Sequence, residues 1–225
     1  MRGYRTLLAM LTLLLAVAGC SSSSNGHGST APLHAKLAGI VVQRNDLPSG
    51  WKSSPPNTSG HAAGQAKMQR CVGGRDTTPD QVDKVDSDDY TQGNATISSN
   101  ATSYKSASDV ASDAALLKSP KVESCYERVL HDLLGKSLPA GSTIDNITFH
   151  MTRGSGGGPA NLVATGKGTI AVTAQGQHVT IYVAAAFISG PLIEAQVSFD
   201  NVGQPVPESL QRQVISDVAK RAAKA

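Results

Sequence analysis

Aromatic residues make up only 4% of the 225-residue chain, with one tryptophan, five tyrosines and three phenylalanines. Few large rings are available to line a broad apolar cavity, which argues against a lipid-carrier fold. Charge is also sparse, at 16%. Two of its 20 Lys and Arg residues, Arg2 and Arg5, lie at the extreme N-terminus, against 17 Asp and Glu overall. The rest of the chain is therefore close to neutral and has no clustered basic face, which excludes nucleic acid as an expected partner. Cysteine is limited to Cys20, Cys71 and Cys125. No apolar run reaches the roughly 20 residues that a spanning helix needs.

The longest apolar run, Leu7 to Ala18, follows Arg2 and Arg5 and stops at Gly19-Cys20 before four serines. A positive start, a short apolar run and small residues at its end are the three parts of a secretory signal. Residues 1–19 are read as a signal peptide that is removed. Val17-Ala18-Gly19-Cys20 resembles the lipobox of bacterial lipoproteins. That resemblance implies that Cys20 is acylated, by palmitate or a similar chain, and anchors the protein to the cell membrane on its extracytoplasmic face. The alternative is an ordinary signal peptide that happens to end in cysteine. Two or three acyl chains, at about 0.8 kcal/mol per buried methylene, hold a domain on a bilayer durably.

Residues 20–33 are small and polar and read as a flexible tether, spanning roughly 20 Å as a coil. Residues 34–225 are enough for one domain with its own core. With Cys20 acylated, Cys71 and Cys125 remain. Outside the cytoplasm such a pair is expected as a disulfide, the alternative being two unpaired buried thiols.

The expected fold class is α+β: an antiparallel sheet of about five strands, with a C-terminal meander, helices packed on one face and one disulfide. Helices are expected over 34–44, 62–72, 108–118, 120–134 and 208–224, the last with Leu210, Val214, Val218 and Ala222 on one stripe. Strands are expected over 94–104, 145–153, 161–174, 178–189 and 192–200, where the period falls to two. Residues 77–89 read as an irregular acidic stretch.

No reaction chemistry is ordered in the sequence. The six histidines show no metal-ligand spacing, and no HExxH occurs. No metal or cofactor is expected. Gly154-Ser155-Gly156-Gly157-Gly158-Pro159 lacks the aspartate and glycine spacing of a protease nucleophile loop and reads as a flexible connection. Thr165-Gly166-Lys167-Gly168-Thr169 echoes a phosphate-binding loop, but lacks its first glycine and its Ser/Thr after Lys and lies inside a strand. Scattered Ser, His and Asp provide no motif for a cell-wall hydrolase, so the protein is not expected to be an enzyme.

Asp46-Leu47-Pro48-Ser49-Gly50-Trp51, Cys71 followed by Gly73, the strand carrying Ser98 and Tyr104, and Cys125 on a helix together resemble a broad group of actinobacterial exported lipoproteins of unknown function. More distantly they are similar to the extracellular sensor domains of mycobacterial Ser/Thr protein kinases, which usually carry more cysteines. The resemblance implies binding of an envelope ligand or protein partner. Trp51 and Tyr104 are the candidate ligand-binding residues, with burial in the core as the alternative for both. A carrier of an apolar envelope molecule is the second functional reading.

Overall fold

The alternating stretch after residue 140 folds into four long strands, and α-helices cover both sides of the sheet that they build. The computed structural model describes residues 31–57, 61–154, 158, 159 and 161–225. The expected signal peptide, Cys20, most of the expected tether and the core of the Gly154–Pro159 loop lie outside the described residues.

In chain order the elements are α1 (Ala31–Ala38), β1 (Lys52–Ser54), α2 (His61–Val72), β2 (Gln81–Asp86), β3 (Asp89–Gln92), β4 (Ala95–Tyr104), α3 (Ala107–Leu116), α4 (Val122–Ser137), β5 (Thr143–Arg153), β6 (Leu162–Ala174), β7 (Gln177–Ser189), β8 (Ile193–Val202) and α5 (Glu208–Ala222). The sheet has eight strands in the order β1-β3-β4-β8-β7-β6-β5, with β2 pairing β4, and every pairing is antiparallel. The meander β5 to β8 is as expected. Its β6–β7 hairpin turns through Gln175 and Gly176, both at positive φ, which suits the right-handed twist of the flanking strands.

The expectation of about five strands is too low. β1, β2 and β3 have three, six and four residues and mostly polar side chains, so they carry no apolar alternation to announce them. β2 and the first residue of the short β3, Asp89, lie within the stretch expected to be irregular. The first helix is also displaced. It begins at Ala31, inside the expected tether, and ends at Ala38, because Ile40, Val41 and Val42 leave it to insert into the core.

The larger correction concerns the layers. Helices pack on both faces of the sheet, not one. In β7, Ile181, Val183, Ala185 and Phe187 face a core built with α4, whereas Ala184, Ala186 and Ile188 face a second core built with α1 and α5. The unbroken apolar run from Val183 to Ile188 is the signature of a strand buried on both sides. The disulfide Cys71–Cys125 forms and ties the end of α2 to α4.

Gly166 and Gly168, the residues of the phosphate-loop echo, have a packing role. A Cβ at Gly166 would lie 2.3 Å from the Phe149 ring, and one at Gly168 would lie 2.2 Å from the Thr148 carbonyl oxygen. Their missing side chains let Phe149 lie across β6, where its other face stacks on Tyr126 of α4 at 4.3 Å between ring centroids.

Candidate functional site: a groove beside α5 and a polar seam beneath α2 and α3

Strand alternation and register place two polar surfaces on opposite faces of the sheet. The first is open. α5 covers β8 and part of β7 and leaves the same face of β5 and β6 bare. Cross-strand pairs form its floor: Thr148 beside Thr169, with hydroxyl oxygens 2.9 Å apart, His150 beside Lys167, and Thr152 beside Thr165. Lys167 Nζ donates to Glu208 Oε1 of α5 at 2.7 Å, bridging floor and wall. Arg212, one turn further along α5, reaches the other Glu208 oxygen at 3.5 Å. These cations hold the Glu208 carboxyl below its ordinary range, with the Lys167 hydrogen bond as the main cause. The groove comprises adjoining recesses of about 820 and 320 Å³, and Lys167 and Glu208 line both.

The second surface is enclosed. On the α2–α4 side, β4 presents Thr96, Asn100, Thr102 and Tyr104 opposite Asp200, Gln196 and Glu194 of β8, in the register Thr96 with Asp200, Asn100 with Gln196 and Thr102 with Glu194. Gln65 and Gln69 of α2 are also buried. The result is a polar seam inside the protein. Tyr104 is 2% exposed, and its hydroxyl lies 2.7 Å from Asp113 Oδ2 of α3 and 3.0 Å from Glu194 Oε2. Thr77 donates to the same Asp113 oxygen at 3.0 Å and accepts from Gln69 Nε2 at 3.3 Å.

One phenolic proton cannot fully satisfy two carboxylates, and burial adds to the cost of their charge. Desolvation pushes Asp113 above the ordinary carboxylate range, against the opposing hydrogen bonds from Tyr104 and Thr77. Desolvation, and then the charge of Asp113, pushes Glu194 well above it. Burial and the two neighbouring carboxylates likewise raise the Tyr104 phenol. At the far end of the seam, Asp200 is pushed well above its usual range by burial and then by the charge of Asp89. Among the described residues, Asn100 Oδ1, Thr102 Oγ1, Asp113 Oδ1 and Asp200 Oδ1 are buried without a hydrogen-bond partner.

The two sequence candidates are not brought together. Trp51, 6% exposed, packs into the α1/α5 core next to β1, near the start of β4. Tyr104 ends β4 on the opposite face and belongs to the seam. The residues that sequence reasoning missed are Asp113, Glu194, Lys167, Glu208 and Arg212. Glu194 alternates with Ile193 and Ala195 and therefore reads as solvated in any sheet covered on one face only. A triad-like contact also occurs at the β6–β7 end. Thr173 Oγ1 and Asp145 Oδ2 lie 2.7 and 3.4 Å from His178, but both approach the same ring nitrogen, Nδ1, and the group is exposed. A relay needs the base and its orienting carboxylate on opposite nitrogens. No helix among the described residues is long and apolar enough to cross a membrane.

No family model matches the chain, and no curated protein sequence matches it. Among solved structures, the extracellular domain of PknH from Mycobacterium tuberculosis superposes on 85% of this chain and 97% of that chain, with a TM-score of 0.45 and 8% identity. A likeness of that order assigns neither family nor ligand.

Proposed function

We propose that the protein is a non-catalytic binding domain, held on the outer face of the cell membrane through acylated Cys20, that takes its ligand in the groove between α5 and the bare face of β5 and β6. The observation that carries this reading is the groove itself. Its 820 Å³ recess lies within the range of small-molecule sites, roughly 300–1,000 Å³, on a rigid floor of paired strands. Lys167, Arg212 and Lys220 give it positive groups, and threonine hydroxyls on the floor give it directional hydrogen bonds. The Cys71–Cys125 disulfide supports an oxidising compartment.

The carrier reading finds less support. Charged side chains of Lys167, Glu208, Arg212 and Lys220 stand among apolar ones such as Leu162, Phe199 and Ile215 along the groove, and the smaller cavity on the opposite face, about 60 Å³, is well below the roughly 150 Å³ that accommodates one benzene.

The test is retention of fractionated envelope extract by the immobilised oxidised protein, with Lys167→Glu/Arg212→Glu as the control. A component retained by the wild type and lost by the variant is the expected result. Equal retention by both proteins, or none by either, overturns the assignment to the groove.

A further inference from the structure

The small cavity beneath α2, α3 and α4 has apolar walls that include Met68, Leu117 and Phe187, and it is also lined by Asp113, Glu194 and Tyr126. Three oxygen-bearing groups there call for a donor. Asp113 Oδ1 has no hydrogen-bond partner. The Glu194 carboxylate competes with Asp113 for the single Tyr104 proton. Tyr126 is 1% exposed, and its hydroxyl has no partner.

No cation within the described residues answers this demand. Arg75, whose charge acts on Asp113 from a distance, is held by Asp80 and Asp109 at 2.8 Å each. A metal ion is a poor fit, because the described residues contain no group of three His, Cys, Asp or Glu placed to hold one and the walls are apolar. A ligand suited to the cavity combines an N–H-rich cation with a short hydrocarbon.

We propose that this cavity binds a small protonated primary amine. Its ammonium group, with three donors, meets Asp113, Glu194 and the Tyr126 hydroxyl, and an alkyl part of about two or three carbons lies against Met68, Leu117 and Phe187. Asp113 is only partly buried and keeps one edge of the site open to solvent. The cation also resolves the competition between the two carboxylates and favours their charged forms, against the burial that raises both above the usual range. Binding therefore releases protons.

The experiment titrates the oxidised full chain with ethylammonium chloride, followed by NMR shifts and by calorimetry in two buffers of different ionisation enthalpy. Ethanol is the neutral control and tetramethylammonium the control without N–H. Saturable shifts at Met68, Leu117 and Phe187 are expected, with proton release and affinity at least tenfold above both controls. Asp113→Asn and Glu194→Gln each weaken binding tenfold or more. Tyr126→Phe, which keeps the ring and its packing, weakens it several-fold. Equal affinity for ethanol, no saturation, or unchanged binding in all three variants overturns the proposal. Co-sedimentation with phosphatidylethanolamine vesicles, competed by ethylammonium and absent with phosphatidylcholine, identifies the amine as a lipid headgroup. Ethylammonium binding without that sedimentation identifies a free amine.

Discussion

Arg221 clasps Asp46 with both terminal nitrogens, at 2.8 and 2.7 Å, across 175 residues of sequence. The same guanidinium donates to the carbonyls of Ile40 and Val41 at 3.2 and 3.1 Å. It thereby fastens the last turns of α5 to the segment after α1, where Asp46 is buried and also accepts from the Gln43 amide. Planar, two-pronged geometry of this kind suits arginine and not lysine.

Arg221→Met is expected to cost about 3 kcal/mol, because it leaves a buried carboxylate without its cation. Arg221→Lys is expected to recover less than half of the loss. Urea unfolding of the three proteins at pH 7 measures both effects.

Replacing both Cys71 and Cys125 by serine is expected to lower stability by about 4 kcal/mol, on the model in which the cross-link restricts a loop of 54 residues in the unfolded chain. The loss should appear first in α2, which the bond fastens to α4. Hydrogen exchange of the amides of residues 63–72, with and without reductant, reports it.

Gly168→Ala forces a Cβ onto the Thr148 carbonyl oxygen and against Phe149, so β5 and β6 must separate locally. A loss of about 2 kcal/mol is expected from this overpacking. Phe149→Ala removes the ring between the sheet and Tyr126 and is expected to cost about 4 kcal/mol. Thermal unfolding followed by circular dichroism ranks the two.

Asp89, Asp113, Glu194 and Asp200 all sit above their ordinary values of 3.8 to 4.5, chiefly through burial. The folded state thus holds protons that the unfolded state has released. Their contribution is fully present below pH ~4 and is lost as pH rises through the higher folded values. The ion-paired Asp109, Asp132 and Glu208 act in the opposite sense, but only in acid, because their folded values are lowered. Stability is therefore expected to fall as pH rises above about 4, the ordinary carboxylate range. Asp200→Asn should flatten that slope. Urea midpoints at four pH values across the range decide it, and an unchanged slope in the variant would remove Asp200 from the account.

Lys167→Ala and Arg212→Ala are expected to change stability by less than about 0.5 kcal/mol, since both ion pairs with Glu208 are exposed. Loss of ligand retention by proteins of unaltered stability would separate a role in binding from a role in folding.

Periodicity located the four strands after residue 140, the helix carrying Cys125 and the amphipathic α5, because each is long enough for its apolar period to repeat, while Gly73-Gly74 marked the end of the helix carrying Cys71. The disulfide was expected from the cysteine count together with the expected export. The short strands β1 to β3 were not legible, since three to six mostly polar residues carry no such signal. The groove escaped notice for another reason. Lys167 lies 41 residues before Glu208 and meets it and Arg212 only because α5 folds back over one face of the sheet.

The sequence by itself determined that this chain is an α+β protein with a meander, a helical C-terminus and one cross-link, because local period and residue type act within a few residues of each other. The tertiary structure decided which polar residues are buried. Glu194, Gln196, Ser198 and Asp200 have the alternation of a solvated strand face, and they face solvent in any sheet with helices on one side. A second helical layer turns that face inward, and only the layering fixes where water is excluded and which carboxylates burial pushes above their ordinary range.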